Sequence, residues 1–353
     1  MKILMAARRY PPDVYSGTET VFANLYHWAR QHHEVRLVVG WTRARDLVPA
    51  EAVAVCLKNK RKGRAWASMA RAIFSEVRRW KPDVVLSNSI EVPPTGVPTA
   101  CIVHDLNFGR AEDGYVDRLK AHFYAMRARS LDTVITVSGA SARALVAAGV
   151  PEGRIRVVHN GVDISYFSPV ERSGDDIVRF AYPSRILPGK GQHLAVDAIA
   201  RLPAKYKRKA HLTIVGAIND PVYLDQLRVQ AFNQPVTFAL NVPEIGPYYQ
   251  NADVIVYPTV MEEGFGFTAV EGMACGKPVI WFDQPAVREA TGGIGVPVDR
   301  GDVMGMRDAM VRLIKSPEER ARLGATGRQY AVNNLSWERV WEQYASALQA
   351  LGR

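Results

Sequence analysis

Tyr257-Pro258-Thr259-Val260-Met261-Glu262-Glu263-Gly264-Phe265-Gly266-Phe267-Thr268-Ala269-Val270-Glu271-Gly272-Met273-Ala274-Cys275-Gly276-Lys277-Pro278-Val279-Ile280 carries three elements in one run. The apolar residues ending at Tyr257 read as a buried strand, a glycine-containing loop follows Pro258, and a helix begins near Phe267. A second buried strand starts at Pro278. Strand, loop, helix and strand in this order are the unit of a parallel sheet covered by helices. Gly264 and Gly266 let the backbone turn tightly and approach a ligand, and the helix that follows offers unpaired N–H groups to phosphate. Glu263 stands in the loop and Glu271 about one turn into the helix, where carboxylates accept hydrogen bonds from sugar or ribose hydroxyls. A tight loop with two solvated acids would read the same way, so the stretch alone leaves both readings open.

The unit recurs outward in both directions. In the first half, residues 2–6, 35–39, 84–87, 99–103, 134–137 and 156–159 read as strands, separated by helical patterns at 18–31, 65–80, 115–130 and 140–148. The alternation restarts with strands at 179–183, 211–215, 236–238, 254–257, 278–281 and 295–298. Helices at 192–201, 221–232, 246–250, 269–274 and 303–315 lie between them. Residues 166–176, rich in Pro, Gly and charge, read as a linker. The expectation is therefore two doubly wound α/β domains, 1–170 and 171–335, their ligand-collecting strand ends facing across a cleft. A last helix from Ser336 aligns Trp337, Val340, Trp341, Tyr344 and Leu348 on one face. Two tryptophans so close call for a broad apolar surface, and the helix (336–353) is assigned to the first domain.

At 353 residues, 48% apolar and 23% charged, the composition is that of a globular protein with room for two cores. No apolar run reaches the ~18–20 residues that span a bilayer, and Arg8-Arg9 break the short apolar N-terminus. Cys56, Cys101 and Cys275 are odd in number and lie in no CxxC or zinc spacing, which points to a reducing cytoplasmic compartment without a structural metal. The net charge of +10 is uneven: residues 1–170 hold 24 Lys and Arg against 15 Asp and Glu. Much of the excess runs from Lys58 to Lys81, where Glu76 is the one acid. A solvated helix face is the ordinary reading of such a run. The alternative is an anionic partner, with peripheral contact at the inner face of a membrane preferred over nucleic acid, since no aromatic-and-basic recognition module accompanies it. The apolar stripe expected on this helix is Trp66, Met69, Ile73, Val77 and Trp80, buried against the sheet.

Two glutamates eight positions apart within EGFG…EGMACGKPVI resemble the retaining GT-B nucleotide-sugar glycosyltransferases, glycosyltransferase family 4 (glycosyl transferases group 1). Further pieces of that pattern occur in order across most of the chain. They are Pro11-Pro12, Ser16-Gly17-Thr18-Glu19 where the family usually shows Gly-Gly, His104-Asp105, Ser138 with Ser141, and Asn160-Gly161-Val162-Asp163. Arg185 with Gly189-Lys190-Gly191, Val215-Gly216 and Ala252-Asp253-Val254 follow. The resemblance implies a GT-B fold and transfer of a hexose-type sugar, in polysaccharide or glycolipid biosynthesis, to a glycan, lipid-linked or small-molecule acceptor. It implies that Gly17 sets a backbone N–H against the donor diphosphate, with Ser16 altering the loop. Arg185 and Lys190 would neutralise the departing diphosphate, Glu263 would hold hydroxyls of the transferred sugar, and Glu271 those of the ribose. Gly264, Phe265, Gly266 and Phe267 would complete the donor-binding loop, and His104 would contact the sugar near the reacting carbon, with Asp105 orienting its loop. Ser138 and Ser141 read first as the cap and opening turn of a helix.

No Asp-x-Asp triplet of a metal-dependent transferase is present, so no metal or cofactor is expected; Arg185, Lys190 and helix N-termini would do that electrostatic work. The resemblance implies retention of configuration. An isomerase on the same fold lacks the paired glutamates, and a non-catalytic nucleotide-sugar-binding protein does not need the full set of His104, Arg185, Lys190, Glu263 and Glu271. The loop 241–244 and the neighbourhood of Arg185 are the expected base contacts, but they do not separate UDP from GDP. His104-Asp105-Leu106 tilts the donor toward GDP-mannose or a UDP-hexose. The acceptor pocket is expected around 108–120.

Overall fold

The computed structural model describes residues 1–13, 17–43, 45–90, 92–104, 126–171 and 176–352. Ser16, Asp105, the acceptor segment 108–120, the start of the helix at 115–130 and linker residues 172–175 lie outside the described residues. The chain divides into two compact units, Met1–Gly161 with Trp337–Arg353, and Val162–Ser336.

The first unit runs β1 (Lys2–Ala7), α1 (Gly17–His32), β2 (Glu34–Trp41), β3 (Val53–Cys56), α2 (Lys62–Trp80), β4 (Val84–Ser87), β5 (Thr99–Val103), β6 (Thr133–Thr136), α3 (Gly139–Ala147) and β7 (Ile155–Val157). Its sheet has the order β3-β2-β1-β4-β5-β6-β7, with every pairing parallel. β1, β4 and β5 are apolar and almost wholly buried, as strands covered on both faces must be. Ser138 caps α3 as expected, its hydroxyl accepting the Ser141 N–H at 3.2 Å.

The second unit continues with β8 (Val178–Pro183), α4 (Gln192–Ala200), α5 (Ala204–Lys207), β9 (Ala210–Gly216), α6 (Pro221–Gln230), β10 (Val236–Leu240), α7 (Gly246–Gln250) and β11 (Val254–Tyr257). Then follow α8 (Phe267–Ala274), β12 (Val279–Phe282), α9 (Pro285–Ala290), β13 (Val296–Val298), α10 (Val303–Lys315) and α11 (Pro317–Leu335). The sheet order is β10-β9-β8-β11-β12-β13, again parallel throughout. The chain order reverses between β8 and β11, and ligands of open α/β sheets gather at such a switch point.

α12 (Trp337–Leu351) returns to the first unit and packs on α1. Trp337, Val340, Trp341, Tyr344 and Leu348 are its buried face, the five residues expected from the sequence. Gly161 is required there: a Cβ would collide with the Trp337 indole.

Three expectations change. The break between units falls after Gly161 rather than at 170, because 162–170 is bound into the second unit. The Tyr166 hydroxyl accepts the Gly246 N–H at 3.0 Å, and the Phe167 ring meets Tyr249 edge-on at 5.3 Å. The stripe of α2 also shifts: Ala65, Met69, Ala70, Ile73 and Glu76 are buried, while Trp66 is 43% exposed. Four-residue spacing back from Ile73 and Met69 lands on Ala65, and its neighbour Trp66 lies about 100° further round. Finally, β3, the 19-residue α11 and the short helices α5 and α9 are additions to the sequence reading.

Candidate functional site

The quoted stretch becomes the end of β11, a loop, and α8. Gly266, at φ +110°, precedes the helix, and no side chain caps its N-terminus. The first turn of α8 is tied to the end of β8 by Thr268, whose hydroxyl donates to the Pro183 carbonyl at 2.8 Å. Phe265 is buried and packs on Phe267, ring centroids 5.3 Å apart, so its ring is core and only its backbone is placed to serve a ligand.

A second loop meets the first. After β8 the chain makes a short helical turn, Pro188–Lys190, and Gly191 at φ +72° launches α4. The N–H groups of Val260 and Met261 both donate to the Gly189 carbonyl, at 3.0 and 2.9 Å. A Cβ on Gly191 would collide with the carbonyl oxygen of Pro258, so only glycine permits this close approach. The stapled backbones bring Lys190 to Glu263, with Nζ 2.5 Å from Oε1. Both side chains are largely buried, 11% and 14% exposed.

The pair is braced. The Thr259 hydroxyl donates to the same Glu263 oxygen at 2.8 Å, and the buried Gln284 donates Nε2 to the Thr259 carbonyl at 2.8 Å. The Glu263 N–H closes the ring on Gln284 Oε1 at 3.3 Å. A pair with satisfied neighbours in low dielectric is stiff, and removing one partner costs ~3–5 kcal/mol by stranding the other charge. Arg185 is exposed just beyond β8, and its carbonyl accepts from Gln192 at 2.8 Å.

Glu271 is held differently. Burial pushes its carboxyl up to about 7, while the Tyr249 hydroxyl, donating to Oε2 at 2.5 Å, pulls the other way. Tyr249, almost fully buried, stands between Glu271 and Phe167. The loop expected to touch the base contributes Val242, Pro243 and Glu244 to a cavity of about 510 Å³ that also involves Arg179 and Thr213. Arg185, Lys190, Glu263 and Glu271 do not line that cavity.

In the first unit Gly17 opens α1, and His104 follows β5. His104 Nε2 lies 2.9 Å from Asn88 Oδ1, and Asn88 Nδ2 donates to the Thr18 carbonyl at 3.3 Å. A backbone carbonyl only accepts, so the amide nitrogen faces Thr18 and the amide oxygen faces the imidazole. Nε2 must then carry the proton, leaving Nδ1 as an acceptor in the neutral ring. Burial keeps the ring neutral, pushing its pKa down to about 4 against the opposing pull of Glu19.

The structure thus unites Lys190, Glu263 and the loop before α8 in the second unit, and Gly17, Thr18 and His104 in the first. Asn88, Tyr249, Thr259 and Gln284 are additions. Gln284 lies 21 positions from Glu263, and spacing gives no hint of it. Tyr249 lies inside the expected helix 246–250, but spacing gives no hint that it meets Glu271, 22 positions on.

Two family models match the chain: "Glycosyltransferase Family 4" over residues 15–166 and "Glycosyl transferases group 1" over 167–330. An MMP alpha-(1->4)-mannosyltransferase of Mycolicibacterium hassiacum is 32% identical over 225 residues, covering 61% of this chain and 53% of that protein. A glycogen synthase of Mycobacterium tuberculosis is 27% identical over 287 residues, 74% of this chain and 67% of that protein. The chain spans little more than half the length of the first curated relatives it matches. Among solved structures, Anabaena HepE in complex with UDP superposes with TM-score 0.80 at 21% identity, covering 99% of this chain and 100% of that one. A sucrose-phosphate synthase of Thermosynechococcus elongatus gives TM-score 0.81 at 19% identity, covering 99% of each. With one model over each half and the fold in agreement, the chain belongs to the GT-B glycosyltransferases of family 4, glycosyl transferases group 1.

Proposed function

We propose that this protein transfers a hexose-type sugar from a UDP- or GDP-sugar to a glycan, lipid-linked or small-molecule acceptor, with retention of configuration and without a metal or other cofactor. The observation that carries the reading is the braced Lys190–Glu263 pair beside the uncapped N-terminus of α8. A leaving diphosphate gains charge in the transition state, and fixed cations and aligned N–H groups stabilise that gain by several kcal/mol. Lys190 and Arg185 are assigned to the diphosphate, with the backbone of Gly264, Phe265, Gly266 and Phe267. Glu263 is assigned to hydroxyls of the transferred sugar and Glu271 to those of the ribose. In the first unit, Gly17 is assigned to the diphosphate and His104, through the acceptor Nδ1, to a sugar hydroxyl.

The named relatives favour this chemistry: a GDP-mannose-dependent phosphatidylinositol monomannoside mannosyltransferase of Mycolicibacterium smegmatis is 28% identical over 229 residues. The test is thermal unfolding against a panel of UDP- and GDP-sugars, followed by proton NMR of the product of the stabilising donor. One donor at ~100 times its Kd raises stability by about 2.7 kcal/mol, and the transferred sugar keeps its anomeric configuration. Binding without transfer or hydrolysis identifies a non-catalytic binder, an isomerised donor identifies an isomerase, and an inverted product removes the retaining mechanism.

A further inference from the structure

The outer face of α2 is left unexplained by sugar transfer. Its inward face is complete without Trp66 and Phe74, since Ala65, Met69 and Ile73 join the core cluster with Val77 and Trp80 packed against it. Trp66 and Phe74 are instead 43% and 36% exposed. The two rings lie two turns apart in one row, with the buried Ala70 between them as its floor, since residues four positions apart share a helix face. Beside it Arg64, Arg71 and Arg78 recur every seven residues, all exposed. The aromatic row and the Arg71 and Arg78 side chains border one shallow groove of about 770 Å³.

The charge on this face is unopposed along its own helix. Nine Lys and Arg lie from Lys58 to Lys81, every one exposed. The one acid among them, Glu76, is buried and paired with Arg36 at 2.7 Å. A merely solvated helix would place polar residues at the exposed positions 66 and 74 and acids three or four positions from its arginines. An aromatic row flanked by a cationic row is the arrangement that lies flat in the headgroup layer, rings at the acyl boundary and guanidinium groups on phosphates.

We propose that the outer face of α2 docks this protein on an anionic bilayer surface, Trp66 and Phe74 entering the interface while Arg64, Arg71 and Arg78 pair with lipid phosphates. The contact is independent of the proposed transfer reaction, and its measurement reads bound mass rather than turnover. The full chain is sedimented at physiological salt with vesicles of phosphatidylglycerol and phosphatidylcholine, and separately with pure phosphatidylcholine. Binding to the anionic vesicles is expected, with at least about a tenfold loss in Arg71→Glu/Arg78→Glu and in Trp66→Ser/Phe74→Ser. All four residues are exposed, so thermal unfolding of the free variants should match the parent, and that comparison accompanies the assay. Equal binding to both vesicle types, binding to neither, or undiminished binding by folded variants overturns the proposal. Binding to a single-stranded oligonucleotide with no binding to vesicles overturns it in favour of a nucleic-acid face.

Discussion

Glu271 and Tyr249 form the contact whose chemistry is most sensitive to a single atom. Glu271 titrates near neutrality because burial disfavours its charge, and the phenol hydrogen bond limits that rise. Tyr249→Phe removes the limit and leaves the burial, so the Glu271 pKa should climb further by about one unit. Because a carboxylate accepts ribose hydroxyls better than a carboxylic acid does, donor affinity should increase as pH rises through that pKa. In the variant this increase should move to higher pH, which calorimetric titration from pH 6 to 9 would show; an unmoved profile removes Glu271 from donor binding. The stability effect has the opposite sign. The folded carboxyl keeps its proton between about 4.5 and 7, where the unfolded one has lost it, so this contribution falls as pH rises across that window. At His104, Asn88→Asp replaces an amide oxygen by a carboxylate and should raise the imidazole pKa from about 4 by about 1–3 units. Nitrogen-15 NMR of the histidines would read the pKa and also the parent tautomer, which should carry its proton on Nε2. Both partners, Tyr249 and Asn88, were invisible in the sequence because each meets its target across 16 or more positions.

Among the elements, the two stapled loops depend on backbone more than on side chains. Gly191→Ala meets a positive φ and the Pro258 carbonyl together, and should cost about 2 kcal/mol or more by urea unfolding. Because Gly189 holds Val260 and Met261, the same change should also weaken donor binding; full stability in the variant would show that the loops do not need this approach. The elements themselves were largely readable: β4, β5, β11, α7 and α10 match the expected bounds. Those missed had weaker apolar signals. α11 opens with Ser316, Pro317, Glu318 and Glu319, a cap, an N1 proline and first-turn acids, and the Ser316 hydroxyl accepts the Glu319 N–H at 3.2 Å. That start signal was present, but no clear apolar stripe followed it. β3, Val53-Ala54-Val55-Cys56, is an edge strand only partly buried and carries small residues, so it lacks the strong apolar signal of the equally short but fully buried β4 and β11.

For the molecule as a whole, α12 makes the first unit discontinuous in sequence. Five of its side chains are buried, each worth ~1.5–3 kcal/mol, which together rivals the ~5–15 kcal/mol stability of a domain. Ending the chain after Ser336 should therefore unfold the first unit and spare the second. Hydrogen exchange would show protection lost in β1 to β7 and kept in β8 to β13; equal protection in both would show that α12 is dispensable. The sequence by itself determined the two α/β units, the return of α12 and the segment from Glu263 to Glu271, since strand alternation, helix periodicity and glycine placement are local. The tertiary structure alone decided which groups meet. It joined Lys190 to Glu263 across 73 positions, set Tyr249 on Glu271, fixed the His104 tautomer through Asn88 and turned Trp66 outward. Those outcomes depend on strand order and on how helices roll against a sheet, and neither is encoded in the spacing of neighbours along the chain.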